Sequence, residues 1–235
     1  MSDVKCEKKG IKIPTYIPKK AHELPMFFEN KPYQGASGRV YPIPYCDGIS
    51  DEKTDVEYET YTLENEYVKT QVVPALGGKI LRGFDKVGNY DFIYYNEVVK
   101  PALVGLAGPW ISGGIEFNWP QHHRPTTFMP LEAIEEDNPD GGKTVWTGEV
   151  EPFGRMKGMA GITVDKGRSY IKAKVRVYNR TAFPQVFMWW ANLAVPVNNA
   201  YRTVFPPDCE WVNDHDRRAV LEWPIAKGLY KTARP

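Results

Sequence analysis

The segment from Gly108 to Phe128 (GPWISGGIEFNWPQHHRPTTF) contains the densest set of residues that could do chemistry. Its candidate groups are one carboxylate, an asparagine amide, two imidazoles, one guanidinium and two indoles, carried by Glu116, Asn118, His122, His123, Arg124, Trp110 and Trp119. Indole faces cover the C–H side of a sugar ring, and the polar groups match its hydroxyls. Histidine and glutamate are also the usual acid–base residues near neutral pH. Gly113-Gly114 in the same segment allows a close approach of the backbone or a positive φ angle. The segment predicts a polyol pocket with Glu116, His122 and His123 as catalytic candidates; a packed turn with surface histidines is the alternative.

A second cluster, Trp189-Trp190-Ala191-Asn192, lies in a run that is otherwise apolar. In an extended strand, alternate side chains share a face, so Trp190 and Asn192 lie together and Trp189 lies opposite. An amide in such a run needs a partner, either a backbone group or a ligand hydroxyl. The candidate substrate-binding residues are therefore Trp110, Asn118, Trp119, Arg124, Trp189, Trp190 and Asn192.

The two adjacent histidines argue against a metal centre. If the chain is extended at His122-His123, the two rings point to opposite faces, and only one of them can enter a pocket. Adjacent histidines also form a poor chelating pair, so no metal is predicted. Gly77-Gly78 and similar pairs do not form a phosphate-binding loop, and no cofactor is predicted.

Composition narrows the class of protein. The 235 residues carry 30 Lys+Arg and 29 Asp+Glu, a formal charge of +1, which excludes a strongly basic nucleic-acid binder and suits a neutral sugar. The three cysteines are scattered, so a disulfide framework is not expected. The charged N-terminus lacks an apolar signal segment, and no apolar run has the length of a membrane span. A cytoplasmic location without membrane contact is the expectation.

The chain divides into two parts by composition. The first fifty residues contain prolines, which exclude a regular helix, and aromatic side chains between them. This composition predicts an extended arm (residues 1–50) packed on a body. The polar stretch from Cys46 to Asp55 (CDGISDEKTD) is interpreted as a turn at this boundary. Residues 51–235 are then the main domain.

Short strands dominate the predicted body. Regular β-rich runs extend over residues 56–63, 67–73, 79–84, 91–95, 145–150, 162–164, 169–178 and 185–195. In the run 169–178, Ile171, Ala173, Val175 and Val177 alternate with basic residues, which predicts one core row and one solvent row. The run 185–195 is apolar nearly throughout and predicts a strand covered on both faces. Together these runs favour an all-β antiparallel sandwich or barrel.

Three segments carry a family resemblance. Leu76 to Asn96 is similar to the early strands of the galactose mutarotase-like superfamily, and Ile111 to Pro125 to the Gly-Gly pocket segment of aldose and hexose-phosphate epimerases. Met188 to Val197 is placed where those enzymes carry a second histidine. More closely, the whole chain, including Tyr33 to Pro44, resembles the N-terminal part of a bacterial domain family of unknown function within that superfamily. Its members often continue into tetratricopeptide repeats.

The resemblance implies a β-supersandwich, incomplete at the C-terminus, with carbohydrate binding on its concave face. His122 or His123 would match the first active-site histidine. Trp189 or Trp190 occupies the second histidine position, with Asn192 retained. Ser112 replaces the arginine of the hexose-phosphate epimerases, so phosphosugar recognition is not implied.

Three functional hypotheses follow. The first is a carbohydrate-active enzyme, hydrolase-like or epimerase-like, in which Glu116 acts as acid, base or nucleophile. The second is a non-catalytic glycan-binding module that uses the same aromatic residues. The third is a scaffold or interaction domain that packs against a following repeat region.

Overall fold

The computed structural model describes residues 3–22, 42–120, 122–214 and 220–225. These residues form fifteen β-strands and one short 3-10 turn, Pro74–Leu76. The chain separates into two compact units, Met1–Pro196 and Val197–Pro235. Among the described residues, no helix has the length and apolar character needed to cross a membrane.

The first unit contains thirteen strands. They are β1 (Lys5–Pro18), β2 (Ile49–Glu64), β3 (Val68–Val73), β4 (Lys79–Asp85), β5 (Tyr90–Asp91), β6 (Ala102–Gly105), β7 (Gly108–Trp110), β8 (Ile115–Asn118), β9 (Glu132–Asp137), β10 (Lys143–Val150), β11 (Lys157–Val164), β12 (Ile171–Tyr178) and β13 (Trp190–Leu193).

The larger sheet of this unit has seven strands. Its order is β1-β2-β3-β4-β8-β13, with β5 paired to β4. The long β1–β2 pair runs antiparallel, with Lys5 opposite Glu64 and Pro18 opposite Ile49. Pro14 and Pro18 are tolerated because β1 is an edge strand, where a missing N–H group need not interrupt a ladder.

The smaller sheet has four antiparallel strands in the order β12-β11-β10-β9. The two sheets enclose a core built from β2, β3, β4 and β8 on one side and β10 and β11 on the other. Its fully buried members include Leu63, Val72, Ile80, Val145 and Ile162. The strands β6 and β7 form a separate two-stranded hairpin. The prediction of an all-β antiparallel sandwich is confirmed.

The second unit contains the hairpin of β14 (Trp211–Asn213) and β15 (Val220–Glu222). Leu221 is buried, and the rings of Phe205 and Trp223 lie 4.5 Å apart.

Two predicted boundaries are wrong. The stretch from Cys46 to Asp55 is not a turn throughout, because β2 begins at Ile49 and pairs with β1 from there. The predicted strand 91–95 is shorter in the structure, because β5 ends at Asp91 and residues 92–95 are not part of a strand. The division of the chain at residue 50 into an arm and a body stays a prediction.

Two predicted burial patterns are also wrong. On β12 the alternation is present, but Val175 and Val177 of the expected core row are 38% and 40% exposed. In the run 185–195 only β13 is a strand, and Leu193 is 56% exposed. Both strands lie at the edges of their sheets, where the opposite sheet does not cover their apolar side chains.

Part of the predicted arm lies outside the described residues. This applies to residues 23–41, which contain Pro25, Pro32 and most of the Tyr33 to Pro44 segment.

Candidate functional site

Two consecutive glycines direct the chain into strand β8. Gly113 and Gly114 have φ angles of 81° and 71°, in the left-handed region that glycine tolerates best. A Cβ atom on Gly114 would lie 2.1 Å from the carbonyl oxygen of Ile80, so the close approach of β8 to β4 requires glycine there. The prediction of a special backbone conformation at Gly113-Gly114 is confirmed.

Strand β8 lies between β4 and β13 and carries Glu116 into the protein. The antiparallel register places Asn192 of β13 directly opposite Glu116. The Glu116 residue is 4% exposed, yet it is surrounded by side-chain donors. Its position in a central strand explains how residues distant in sequence converge on one carboxylate.

Four side chains donate hydrogen bonds to Glu116. Oε1 accepts from Trp110 Nε1 at 3.1 Å and from Thr127 Oγ1 at 3.0 Å. Oε2 accepts from Asn192 Nδ2 at 3.0 Å and from His123 Nδ1 at 3.2 Å. Each oxygen therefore has two donors, which is an arrangement that favours the ionised form.

The pKa of Glu116 follows from these contacts. Burial alone would raise it, but the hydrogen bonds from His123 and Asn192, with the imidazole charge when present, outweigh burial and lower the pKa to about 2. A carboxyl group with this pKa is ionised at every physiological pH and cannot serve as a general acid. The geometry instead suits Glu116 to orient His123.

His123 is more accessible than Glu116, with a side chain that is 30% exposed. Because a carboxylate can only accept, Nδ1 carries the proton in the bond to Glu116, and Nε2 points away from the carboxylate. The edges and faces of Trp110 and Trp190 approach the imidazole, with ring centroids 6.1 and 5.9 Å from it. We call these four residues with Asn192 the His123 cluster: Trp110, Glu116, His123, Trp190 and Asn192.

The predicted opposite orientation of the two histidines is wrong. His122 has a φ angle of 54°, so the chain is not extended there. The two rings instead contact each other, with centroids 5.4 Å apart at an angle of 69°. Both histidines therefore lie next to the same site.

The alternation predicted for Trp189 and Trp190 is confirmed. Trp190 contacts His123, whereas Trp189 packs on the other face, where its ring stacks on Phe117 at 6.2 Å. Trp189 therefore belongs to the core rather than to the accessible site.

Three other candidates lie behind the cluster. Asn118, Trp119 and Arg124 are at most 1% exposed, so this placement does not support their predicted direct contact with a ligand. The Arg124 guanidinium lies 4.3 Å from the centroid of the Trp119 ring and donates to the carbonyl oxygen of Gly77. The backbone N–H of Arg124 donates to Asn118 Oδ1 at 2.8 Å. These residues support the site from the core.

Two residues of the site were not singled out by sequence. Thr127 lies at the end of the predicted pocket segment, and its hydroxyl binds Glu116. Lys79 is the first residue of β4 and is 3% exposed, which no sequence pattern indicated.

Across the part of the chain that the structure describes, no group of three or more His, Cys, Asp or Glu side chains could hold a metal ion.

The fold and the cluster define a class: an antiparallel β-sandwich domain with a polar and aromatic site on a central strand. The chain belongs to the family described as Domain of unknown function (DUF5107), whose model matches residues 36–233. The predicted membership in a domain family of unknown function is thereby confirmed, whereas the placement of that family in the galactose mutarotase-like superfamily stays a prediction.

A solved structure shares this architecture. The crystal structure of a TPR-domain containing protein from Parabacteroides distasonis ATCC 8503 is similar, with a TM-score of 0.74 and 25% sequence identity. The similarity covers 84% of this chain but 33% of that chain. The present chain thus spans about a third of the length of the protein that it matches.

Proposed function

We propose that this chain is a carbohydrate-binding domain of the galactose mutarotase-like superfamily and that the His123 cluster binds a neutral sugar. The observation that carries the proposal is the bond from His123 Nδ1 to the buried, ionised Glu116. It fixes a partly exposed imidazole whose Nε2 can accept a hydrogen bond from a ligand hydroxyl. The indoles of Trp110 and Trp190 flank that imidazole.

The chemistry of the cluster favours a polyol. Indole rings pack against the C–H groups of a sugar, while His123 and the exposed amide of Asn192 offer polar contacts to its hydroxyls. The formal charge of +1 favours a ligand without a strong charge of its own. Binding rather than hydrolysis is the proposed activity, because both oxygens of Glu116 are occupied by donors and its pKa of about 2 does not suit proton donation.

Calorimetric titration tests this proposal with a panel of neutral sugars: glucose, galactose, mannose, maltose, lactose and cellobiose. Trp190→Ala and His123→Ala should each weaken binding of any hit at least tenfold. Trp211→Ala is the matched control, because Trp211 is 60% exposed in the second unit, and it should change the affinity less than twofold. Binding that survives in both cluster variants, or no binding to the panel, would overturn the proposal.

An enzymatic role has its own test. If His123 transfers protons, exchange between the two anomers of a bound sugar, followed by NMR, should be faster with the wild-type protein than with His123→Ala. Equal exchange rates in the presence of tight binding would identify a non-catalytic module.

An exposed apolar region supports a second candidate function, interaction with another domain. A groove of about 580 Å³ opens between the two sheets and is lined by side chains from both of them, among them Ala173 of β12 and Leu193 of β13. Val175, Phe183 and Val186 are also exposed. Because the matched Parabacteroides protein contains a TPR domain, a repeat region is the proposed partner.

The interaction candidate is tested by mixing this chain with the isolated TPR region of that protein and measuring association by analytical ultracentrifugation. Val175→Lys should abolish association and spare sugar binding. Absence of association with the wild-type chain would refute this candidate.

A further inference from the structure

Strand β12 carries a row of basic side chains that the proposed functions do not use. Lys172, Lys174 and Arg176 alternate along the strand, so they share one face of the smaller sheet. Two residues of the other face, Ile171 and Ala173, line the apolar groove between the two sheets. The basic row therefore lies on the opposite side of β12, on the outer face of the sandwich.

The free positive charge lies at the C-terminal end of this row, because Lys172 at the other end pairs with Asp165 at 2.6 Å. The antiparallel register places Lys157 of β11 opposite Tyr178 of β12 there. A shallow groove of about 460 Å³ opens at this end, and we call the five residues that line it the basic groove: Lys157, Met159, Arg176, Tyr178 and Arg180.

The charge of the basic groove is not neutralised within the part of the chain that the structure describes. There, Lys157, Arg176 and Arg180 form no ion pair, and no carboxylate lines the groove. The acidic side chains that precede β11 have other partners, since Glu149 accepts from a threonine hydroxyl and Glu151 from backbone N–H groups. The three cations are therefore available to an anionic partner.

The Arg176 guanidinium rests on an indole ring. Its Cζ atom lies 4.2 Å from the centroid of the Trp146 ring, and Trp146 Nε1 donates to Glu136. Gly161 permits this packing, because a Cβ atom there would lie 2.7 Å from the indole. A guanidinium held over a ring keeps N–H groups free at its edge, where they can bind a carboxylate through two parallel hydrogen bonds.

Strand β12 also has a free edge beside this row. Among the described residues it pairs with β11 alone, so the N–H and C=O groups along its other edge have no strand partner. An extended peptide binds such an edge through its backbone, and its alternate side chains then face one side of the sheet. Acidic residues at alternate positions of the peptide would bring their carboxylates to the basic groove.

Charge and shape favour a peptide over other anionic partners. Three free cations are few for a nucleic acid, whose affinity grows with the number of phosphates that a protein neutralises. The formal charge of +1 adds no strong attraction for such a polyanion. The groove is also too open to enclose a small molecule, since Tyr178 in its lining is 48% exposed.

We propose that β12 docks an extended acidic peptide segment, which adds to the free edge of the strand and pairs its carboxylates with Arg176, Arg180 and Lys157. This surface is separate from the His123 cluster and lies on the other side of β12 from the apolar groove. The proposal therefore depends neither on sugar binding nor on the repeat region.

Fluorescence anisotropy with the full chain and labelled eight-residue peptides tests the proposal. The probe alternates glutamate with valine or threonine (EVETEVET). Two peptides serve as comparisons: one has glutamine in place of glutamate (QVQTQVQT), and one has the same composition in block order (EEEEVVTT). The wild-type chain should bind the probe at least tenfold more tightly than either comparison, and added salt should weaken this binding.

Substitutions in the basic groove should reduce the affinity for the probe. Arg176→Gln and Arg180→Gln should each weaken binding at least fivefold, and Arg176→Lys, which keeps the charge but loses the paired N–H groups, should weaken it less. Because Arg180 follows the strand, its variant tests the charge even if Arg176→Gln does not fold. Arg202→Gln is the matched control, since Arg202 is an exposed arginine of the second unit, and it should change the affinity less than twofold.

Methylation of the probe separates edge pairing from attraction between charges. One probe is methylated on its glutamate amide nitrogens and the other on the remaining amide nitrogens, and the one whose methyl groups face β12 should lose at least tenfold in affinity. Absence of binding to the probe, equal binding of the glutamine peptide, or an unchanged affinity in Arg180→Gln would overturn the proposal. So would full binding of both methylated probes, or tighter binding of heparin or a single-stranded oligonucleotide than of the probe.

Discussion

Replacing Glu116 with glutamine should destabilise the first unit at neutral pH and have little effect in strong acid. Glutamine retains one carbonyl oxygen and introduces an NH₂ group, so it cannot accept the four hydrogen bonds that converge on the carboxylate. Donors that are left unpaired in a buried position lose both a bond and their solvation.

The magnitude follows from the pKa of Glu116. A value lowered from 4.5 to about 2 favours the ionised folded state by about 3 kcal/mol, since each pKa unit corresponds to about 1.4 kcal/mol. For a carboxyl group with a lowered pKa, this stability is fully present above the unfolded-state pKa and is lost as the pH falls through the folded-state pKa. The difference between wild type and Glu116→Gln should therefore be largest above pH about 5 and fall to roughly half by pH about 3.

Urea unfolding followed by tryptophan fluorescence at several pH values measures this difference. Glu132→Gln is the control, because Glu132 is exposed on the edge strand β9, and its effect should stay within about 0.5 kcal/mol. A loss below about 1 kcal/mol for Glu116→Gln at pH 7, or a loss that does not shrink in acid, would refute the argument that the hydrogen bonds hold Glu116 ionised.

Three further predictions concern stability. Gly114→Ala should cost about 2 kcal/mol or more in urea unfolding, because the left-handed φ angle and the contact with the Ile80 carbonyl both penalise a Cβ atom; a loss under about 0.5 kcal/mol would contradict it. Asn65→Ala should cost about 2–4 kcal/mol, since its buried amide donates to the carbonyls of Asp165 and Arg168 at 2.8 Å, whereas the exposed Asn179→Ala should cost under about 1 kcal/mol. The folded-state pKa of Lys79 is lowered from 10.5 to about 8. Between these two pH values the unfolded chain therefore binds more protons than the folded chain, and the free energy of unfolding should rise with pH by about 3 kcal/mol. Comparison of pH profiles should show this rise in the wild type and not in Lys79→Met.

Local sequence rules predicted those features that depend on near neighbours. Gly113-Gly114 indicated a special turn because only glycine adopts its φ angles without strain. The opposite placement of Trp189 and Trp190 followed from strand alternation. The prediction failed for His122, whose left-handed conformation no local pattern indicated.

Whether a side chain is buried, by contrast, depends on whether its strand lies at the centre or at the edge of a sheet. Trp119 and Arg124 have the residue types of a sugar site, but their segment continues β8 into the core, where they are at most 1% exposed. Val175 and Val177 have the pattern of a core row, but β12 is an edge strand and both remain exposed. A periodic pattern shows which side chains share one face of a strand. It does not show whether another part of the protein covers that face.

The sequence by itself therefore determined the class of this protein, an all-β antiparallel sandwich, and the segment that carries Glu116 and His123. Only the tertiary structure decided the role of Glu116, because it brought four donors onto one carboxylate: three from the Gly108 to Phe128 segment (Trp110, His123 and Thr127) and the distant Asn192 of β13. Only the tertiary structure also brought the ammonium group of Lys79 to the backbone next to the site, where it donates to the carbonyl oxygen of Ile111. The physical reason is that hydrogen bonding and desolvation are set by neighbours in space, and strand pairing brings together residues as far apart as Glu116 and Asn192.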